Sequence, residues 1–299
     1  MVIEVRWGSA THHGRVRDHN EDALLAGPDV FAVADGMGGH AAGEVASAIA
    51  IAGLATVAGL ADVPDPDVRV RAALQRANAE IRRRARADPS VAGMGTTVAG
   101  VARVAGSRLL VFHLGDSRVY RFRAGRLEQL TDDHSLVGEL VRSGQLTEDE
   151  ARRHPRRNVV TRALGVDDVA EPVVGAVDAA VGDCFLVASD GLFGEVPAAQ
   201  IGDLLATPGT LEARARSLVD AALRRGGRDN VSVVLVAVAG TSGADGLEDD
   251  TSPSVPEALG AGRRAGAAAG PVITRVPGST LAAPVPSDAR SLAHQAPPP

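Results

Sequence analysis

The sequence predicts an α+β fold whose framework is antiparallel sheet. Short apolar runs recur at close spacing, at 31–34, 95–104, 108–122, 171–178, 184–189 and 231–239. Strands so near one another in the chain pair antiparallel. Longer stretches with helical spacing, 43–59, 66–87, 198–206 and 211–225, lie between them. Apolar residues make up 45% of the chain and aromatics only 2%, so a sizeable core must be packed from Val, Leu and Ala.

The 299 residues suit one large domain or two small ones. A formal charge of −6 excludes the electrostatic footprint of a nucleic-acid-binding protein. The basic residues are all Arg, which reads as codon bias. The lone Cys184 excludes a disulfide framework and fits a reducing cytosol. Within Cys184–Val187 it reads as a small buried hydrophobe. No secretory signal is visible, and no apolar run reaches the roughly 18 residues of a spanning helix. A cytoplasmic protein without a membrane span is expected.

Taken in order, Val2–Trp7 alternates and reads as an edge or first strand. Ala10–Asp22 is too dense in charge for core. Phe31–Ala34 is the second strand. Gly43–Gly59 reads as a buried helix. Pro66–Ala87 places Val70, Ala73, Leu74, Ala77 and Ile81 on one helical face. Its Arg82, Arg83, Arg84 and Arg86 suit a solvated helix end with favourable dipole placement. Gly95–Val104 and Arg108–Phe122 are strands, the second broken by Gly115-Asp-Ser117, and Ala124-Gly125 makes a hairpin turn. Ser135–Arg142 and Thr147–Arg153 are short helices in an insert beside a site. Glu171–Asp178, Cys184–Ser189 and Val231–Ala239 are strands. Ala198–Ala206 and Leu211–Arg225 are helices, the second burying Ala215, Leu218, Val219, Ala222 and Leu223. The domain ends near residue 240. Residues 241–299, rich in Ala, Gly and Pro, read as a disordered tail.

Four carboxylates stand at strand ends. Phe31–Ala34 leads into Asp35, followed by Gly36, Gly38, Gly39 and His40. Val111–Gly115 leads into Asp116, and Phe185–Ser189 into Asp190-Gly191. Asp229 and Asn230 stand just before Val231. Any one of these Asp residues is equally an ordinary turn residue. Antiparallel neighbours would bring all four to one edge of a sandwich. Unneutralised, they would repel one another. Hard oxygen donors without Cys or paired His select Mg2+ or Mn2+ over Zn2+. Two such ions about 3.5–4 Å apart would form a water-activating phosphoryl-transfer site. Arg17 suits bidentate binding of a phosphate. Glu21 and Asp22, with Asn230, suit a shell around metal-bound waters. His40 suits protonation of a leaving alkoxide. His113 reads as a structural strand histidine, and His12, His13 and His19 as surface groups.

The chain resembles bacterial metal-dependent Ser/Thr protein phosphatases of the 2C (PPM) class. The resemblance rests on Gly14-Arg-Val-Arg17 with Asn20-Glu-Asp22, Asp35-Gly-Met-Gly-Gly-His40, Gly93-Met-Gly-Thr-Thr97, Gly115-Asp-Ser-Arg118 with Val119-Tyr120, Leu130-Thr-Asp-Asp-His134, Ser189-Asp-Gly-Leu192 and Gly227-Arg-Asp-Asn-Val231. These pieces fall in the family's order over residues 5–239. The resemblance implies a four-layer fold, two antiparallel sheets packed face to face with helices on both outer faces. The catalytic domain would be 1–240, with a flap at about 136–165.

It also implies roles. Asp35 would bridge two core Mn2+ or Mg2+ ions, and the Gly36 carbonyl would bind the second. Asp190 and Asp229 would complete the first, and Asp116 would share a third, weaker ion with Asp190. Asp22 would orient water, Arg17 would clamp the phosphate, and His40 would be the general acid. His40 follows Met37-Gly-Gly39, as in bacterial relatives, whereas many eukaryotic members place the acid histidine directly after Asp-Gly. A metal-bridging hydroxide would attack phosphorus in line, with no phosphoenzyme. Expected partners are phosphorylated Ser/Thr proteins, chiefly a cognate Ser/Thr kinase and its substrates, met by a monomer. The alternative is a phosphatase dedicated to one signalling partner, such as an anti-sigma antagonist. A non-catalytic regulator would need missing ligands, and Asp35, Asp190 and Asp229 are all present.

Overall fold

Two antiparallel sheets organise residues 2–38, 42–242 and 272–274, the part of the chain that the computed structural model describes. The first sheet has the spatial order β1 (Val2–His12), β11 (Val231–Ser242), β10 (Cys184–Ala188), β7 (Arg118–Arg123) and β8 (Arg126–Gln129). The second runs β12 (Val272–Thr274), β2 (Asp22–Ala26), β3 (Val30–Met37), β5 (Val98–Arg103), β6 (Arg108–Leu114) and β9 (Val173–Asp178), with β4 (Gly95–Thr96) paired to the end of β3.

The period-2 alternation of strands divides their side chains between three apolar layers. Phe31 and Val33 of β3 face the other sheet, where they meet Val234, Val236 and Val238 of β11. Ala32 and Ala34 face outward and are covered by α1 (Ala42–Ala55) and α2 (Pro66–Ala87). Val231, Val233 and Leu235 of β11 face the opposite way, under α5 (Asp190–Phe193), α6 (Ala198–Ala206) and α7 (Leu211–Arg224). The central strands are thus buried on both faces, and that is why they read as unbroken apolar runs. The result is the four-layer α/β/β/α arrangement, and all five predicted apolar positions of α2 are buried. Between β8 and β9 lie α3 (Leu136–Arg142) and α4 (Glu148–Arg153), capped by Ser135 and Thr147.

Several boundaries differ from the sequence reading. Residues 10–12 belong to β1, in register with β11 as far as His12↔Val231. An edge strand tolerates such polar residues because one backbone side and much of one face stay in water. Asp22–Ala26 is a strand that the polar stretch before it hid. Asp35 does not end its strand, since β3 continues to Met37 and Gly36 pairs with Thr96. The run 95–104 is interrupted at Thr97, whose backbone turns to bond Asp35. Val272–Thr274, inside the stretch read as a disordered tail, form β12 antiparallel to β2. The rest of that stretch beyond Ser242 lies outside the described residues. No helix among the described residues is long and apolar enough to cross a membrane.

Candidate active site

Antiparallel register collects the carboxylates. In the first sheet the end of β10 lies beside the starts of β7 and β11, through Ala188↔Arg118 and Ala188↔Val233. Asp190, Asp116 and Asp229 flank those three points. In the second sheet Asp22 on β2 lies directly opposite Asp35 on β3. Both groups occupy the same end of the sandwich.

The electrostatics record the convergence. Burial, followed by the charges of Asp22, Asp190, Asp116 and Asp229, holds the Asp35 carboxyl well above the usual carboxylate range. Burial pushes Asp22 up to about 7 and Asp116 up to about 8. Asp190 rises to about 6, through burial and then the charge of Asp229. Burial also raises Glu21, against the pull of Arg17. Bound cations would remove that cost by neutralising the carboxylates.

The donors fit that purpose. Asp22 Oδ1 and Glu21 Oε1 are buried oxygens without a hydrogen-bond partner, and an orphaned acceptor is expensive unless something positive meets it. Among the described residues no three His, Cys, Asp or Glu side chains already form a closed cation cage. Asp190 and Asp35 stand within hydrogen-bond reach of each other. An all-oxygen set of this kind suits Mg2+ or Mn2+.

Each predicted site residue has a definite place. Arg17 donates to Asp229 Oδ2 at 2.9 Å, an ion pair with side chains 51% and 31% exposed. Gly36 sits where its backbone touches α1, and a Cβ there would stand 2.1 Å from the Gly43 carbonyl oxygen and 2.6 Å from that of Glu21. Asn230 fastens the charged 13–21 loop to the start of β11. Its Oδ1 accepts from the Glu21 N–H at 2.8 Å, and its Nδ2 donates to the His13 and His19 carbonyls at 3.0 and 2.9 Å. His40 lies outside the described residues. His113 is buried, stacks on His134 with ring centroids 4.7 Å apart, and bonds the Asp132 carbonyl. His12 and His13 stack on each other.

Several supporting residues escaped sequence reasoning. The fully buried Ser189 hydroxyl donates to Asp22 Oδ2 at 2.8 Å and accepts from the Ser232 N–H at 2.9 Å, so it joins the two sheets. Thr97 accepts from the Asp35 N–H through its hydroxyl and donates its own N–H to the Asp35 carbonyl. Ser47 on α1 donates to the Glu21 carbonyl at 2.6 Å. The available signal was a Ser beside an Asp-bearing motif, as in Ser189-Asp190; Thr97 carried none, because it meets Asp35 only across the strand pairing.

Comparison with known proteins identifies the family and the fold. A family model described as protein phosphatase 2C matches residues 10–235. The serine/threonine protein phosphatase PstP of Mycobacterium tuberculosis is 41% identical over 240 residues, covering 80% of this chain and 46% of that protein. The chain therefore spans about half the length of that relative. The serine/threonine phosphatase stp of Listeria monocytogenes is 38% identical, with 76% of this chain and 93% of that protein covered. The crystal structure of the PstP catalytic domain with two manganese ions superposes with a TM-score of 0.71 at 38% identity, covering 80% of this chain and all of that one.

Proposed function

From its place in the protein phosphatase 2C family, to which this chain belongs, we propose that it is a metal-dependent protein serine/threonine phosphatase. The observation that carries the reading is the set of five buried or half-buried Asp carboxylates at one sandwich edge, Asp22, Asp35, Asp116, Asp190 and Asp229, whose mutual charges raise Asp35.

We assign Asp35, Asp190 and Asp229, with the Gly36 carbonyl, to two core cations, Mn2+ or Mg2+, and Asp116 to a third, weaker one. When bound, these ions supply an activated water and neutralise the phosphoryl oxygens. The chain's own groups do the rest. Asp22 and Glu21, tied to Ser189 and Asn230, fix the orientation of the water. Arg17 takes two phosphoryl oxygens. Its present bond to Asp229 joins two partly exposed groups, a kind of pair worth about 1 kcal/mol or less, so exchange for a dianionic phosphate is favourable. His40 delivers a proton to the departing Ser or Thr oxygen. The substrates are phosphorylated Ser/Thr proteins, a cognate kinase among them. Every proposed residue comes from a single polypeptide, so a monomer suffices. The lone, buried Cys184 suits a cytoplasmic setting.

Asp190→Asn and Asp229→Asn are expected to lower Mn2+-dependent hydrolysis of p-nitrophenyl phosphate at least a hundredfold while the far-UV spectrum is unchanged. A folded Asp229→Asn protein with full turnover would overturn the assignment.

A further inference from the structure

Beside the carboxylate cluster lies a cavity of about 510 Å3, bounded by Asp116 and Asp190 on one side and by the α3–α4 segment on the other. Its floor is apolar, formed by Tyr120, Val137, Val141, Phe193, Val196 and Ile201. A fixed network supports it, in which Arg118 grips Asp133 through two bonds of 2.8 and 2.7 Å and lies 3.9 Å over the Phe193 ring. That pairing cancels the charges of Arg118 and Asp133. The charges left over at the rim away from the cluster are Asp132, Arg142 and Arg157.

The two arginines are uncommitted as charges. Arg142 bonds only the Asp133 carbonyl, at 2.8 Å. Neither it nor Arg157 has an ion-pair partner among the described residues. Glu195, whose carboxyl feels Arg157, is already held by Arg228 through bonds of 2.8 and 3.0 Å. Set against Asp132, the two arginines leave this part of the rim with a net positive charge, in a chain whose net charge is −6.

We infer that this rim receives carboxylate side chains of the phosphoprotein substrate close in sequence to the scissile phosphoester, so that the enzyme selects phosphosites in acidic segments. The inference rests on the phosphatase reading and names a substrate class within it. A cavity of this volume is about 8 Å across, which is two or three residues of extended chain. The selected carboxylates therefore lie within about three positions of the phosphorylated residue. Two exposed guanidinium–carboxylate pairs predict selection of several-fold to about tenfold.

The test compares two phosphothreonine peptides, one with Glu at the three positions on each side and one with Gln at the same positions. With Mn2+ present, the unaltered protein is expected to turn over the Glu peptide with a kcat/KM five- to tenfold higher, through KM, and to lose that preference at high salt. The double variant Arg142→Ala/Arg157→Ala is expected to abolish the preference and leave p-nitrophenyl phosphate turnover unchanged. The double Lys variant should restore most of it. Arg157→Ala alone removes no side-chain hydrogen bond, so it serves as a second probe that does not disturb the fold, with a partial loss expected. Equal kcat/KM for the two peptides with the unaltered protein, or a preference that survives in the double Ala variant, overturns the inference. Absence of p-nitrophenyl phosphate turnover in the unaltered protein overturns the phosphatase reading, and this inference with it.

Discussion

Gly36 shows how much a single position can be asked to do. Its backbone is extended, so nothing about φ requires glycine; space does. A methyl group there would collide with two backbone carbonyls, those of Gly43 and Glu21, and neither is the movable end of a side chain. Gly36→Ala is therefore expected to cost at least about 2–3 kcal/mol, at the upper end of overpacking penalties, read as a drop in thermal midpoint of the metal-free protein. A midpoint within 1 °C of the parent would show that α1 slides freely against β3. Asn230 is a contrasting case. In the sequence it is only the neighbour of Asp229. In the fold it holds three backbone groups of the 13–21 loop, on residues more than 200 positions away.

At the scale of elements, the α3–α4 segment stands apart from the three apolar layers. Its two helices are of seven and six residues, too short to persist on propensity alone. α4 instead relies on its capping box, in which Thr147 and Glu150 exchange side-chain and backbone bonds. Thr147→Ala is expected to cost about 1 kcal/mol. Because so little of α4 is packed into the core, the loss should appear as faster amide exchange in 148–153, with the global melting temperature nearly unchanged. A global destabilisation with unaltered local exchange would mean that α4 folds as one unit with the sandwich. The sequence showed both helices as short helical patterns within a polar insert. It did not show the cavity they enclose, because that cavity exists only where α5 and α6 face them across the sheet edge.

The whole molecule carries its clustered charge as a linkage between stability, pH and cations. Asp22, Asp116 and Asp190 titrate in the fold at about 7, 8 and 6, against about 3.9 when unfolded. A raised carboxyl pKa gives stability that is complete at low pH and is lost as pH rises through the folded value. His134 has the opposite sign. Burial lowers it from 6.5 to about 3, so its contribution is complete above 6.5 and declines only below that. Between pH 6.5 and 8 the carboxylates therefore act without interference from His134. In chelator, the thermal midpoint is expected to fall across that window by the equivalent of about 2 kcal/mol. Saturating Mn2+ should raise the midpoint, and by more at pH 8 than at pH 6.5. A cation-induced gain that is the same at both pH values would contradict the clustering.

The sequence by itself determined the composition of the layers and the identity of the chemical groups. Apolar runs, helical spacing and Asp-bearing strand ends are local features, written within a few residues of one another. The tertiary structure decided which groups meet. Asp22 faces Asp35 because β2 pairs with β3 in one register, and Asp229 reaches Arg17 from 212 residues away. The extra length of β1 and the existence of β2 were likewise settled by pairing, since polar edge residues carry no periodic signal of their own. Long-range register depends on the summed packing of both sheets, and no single stretch of the chain contains that sum.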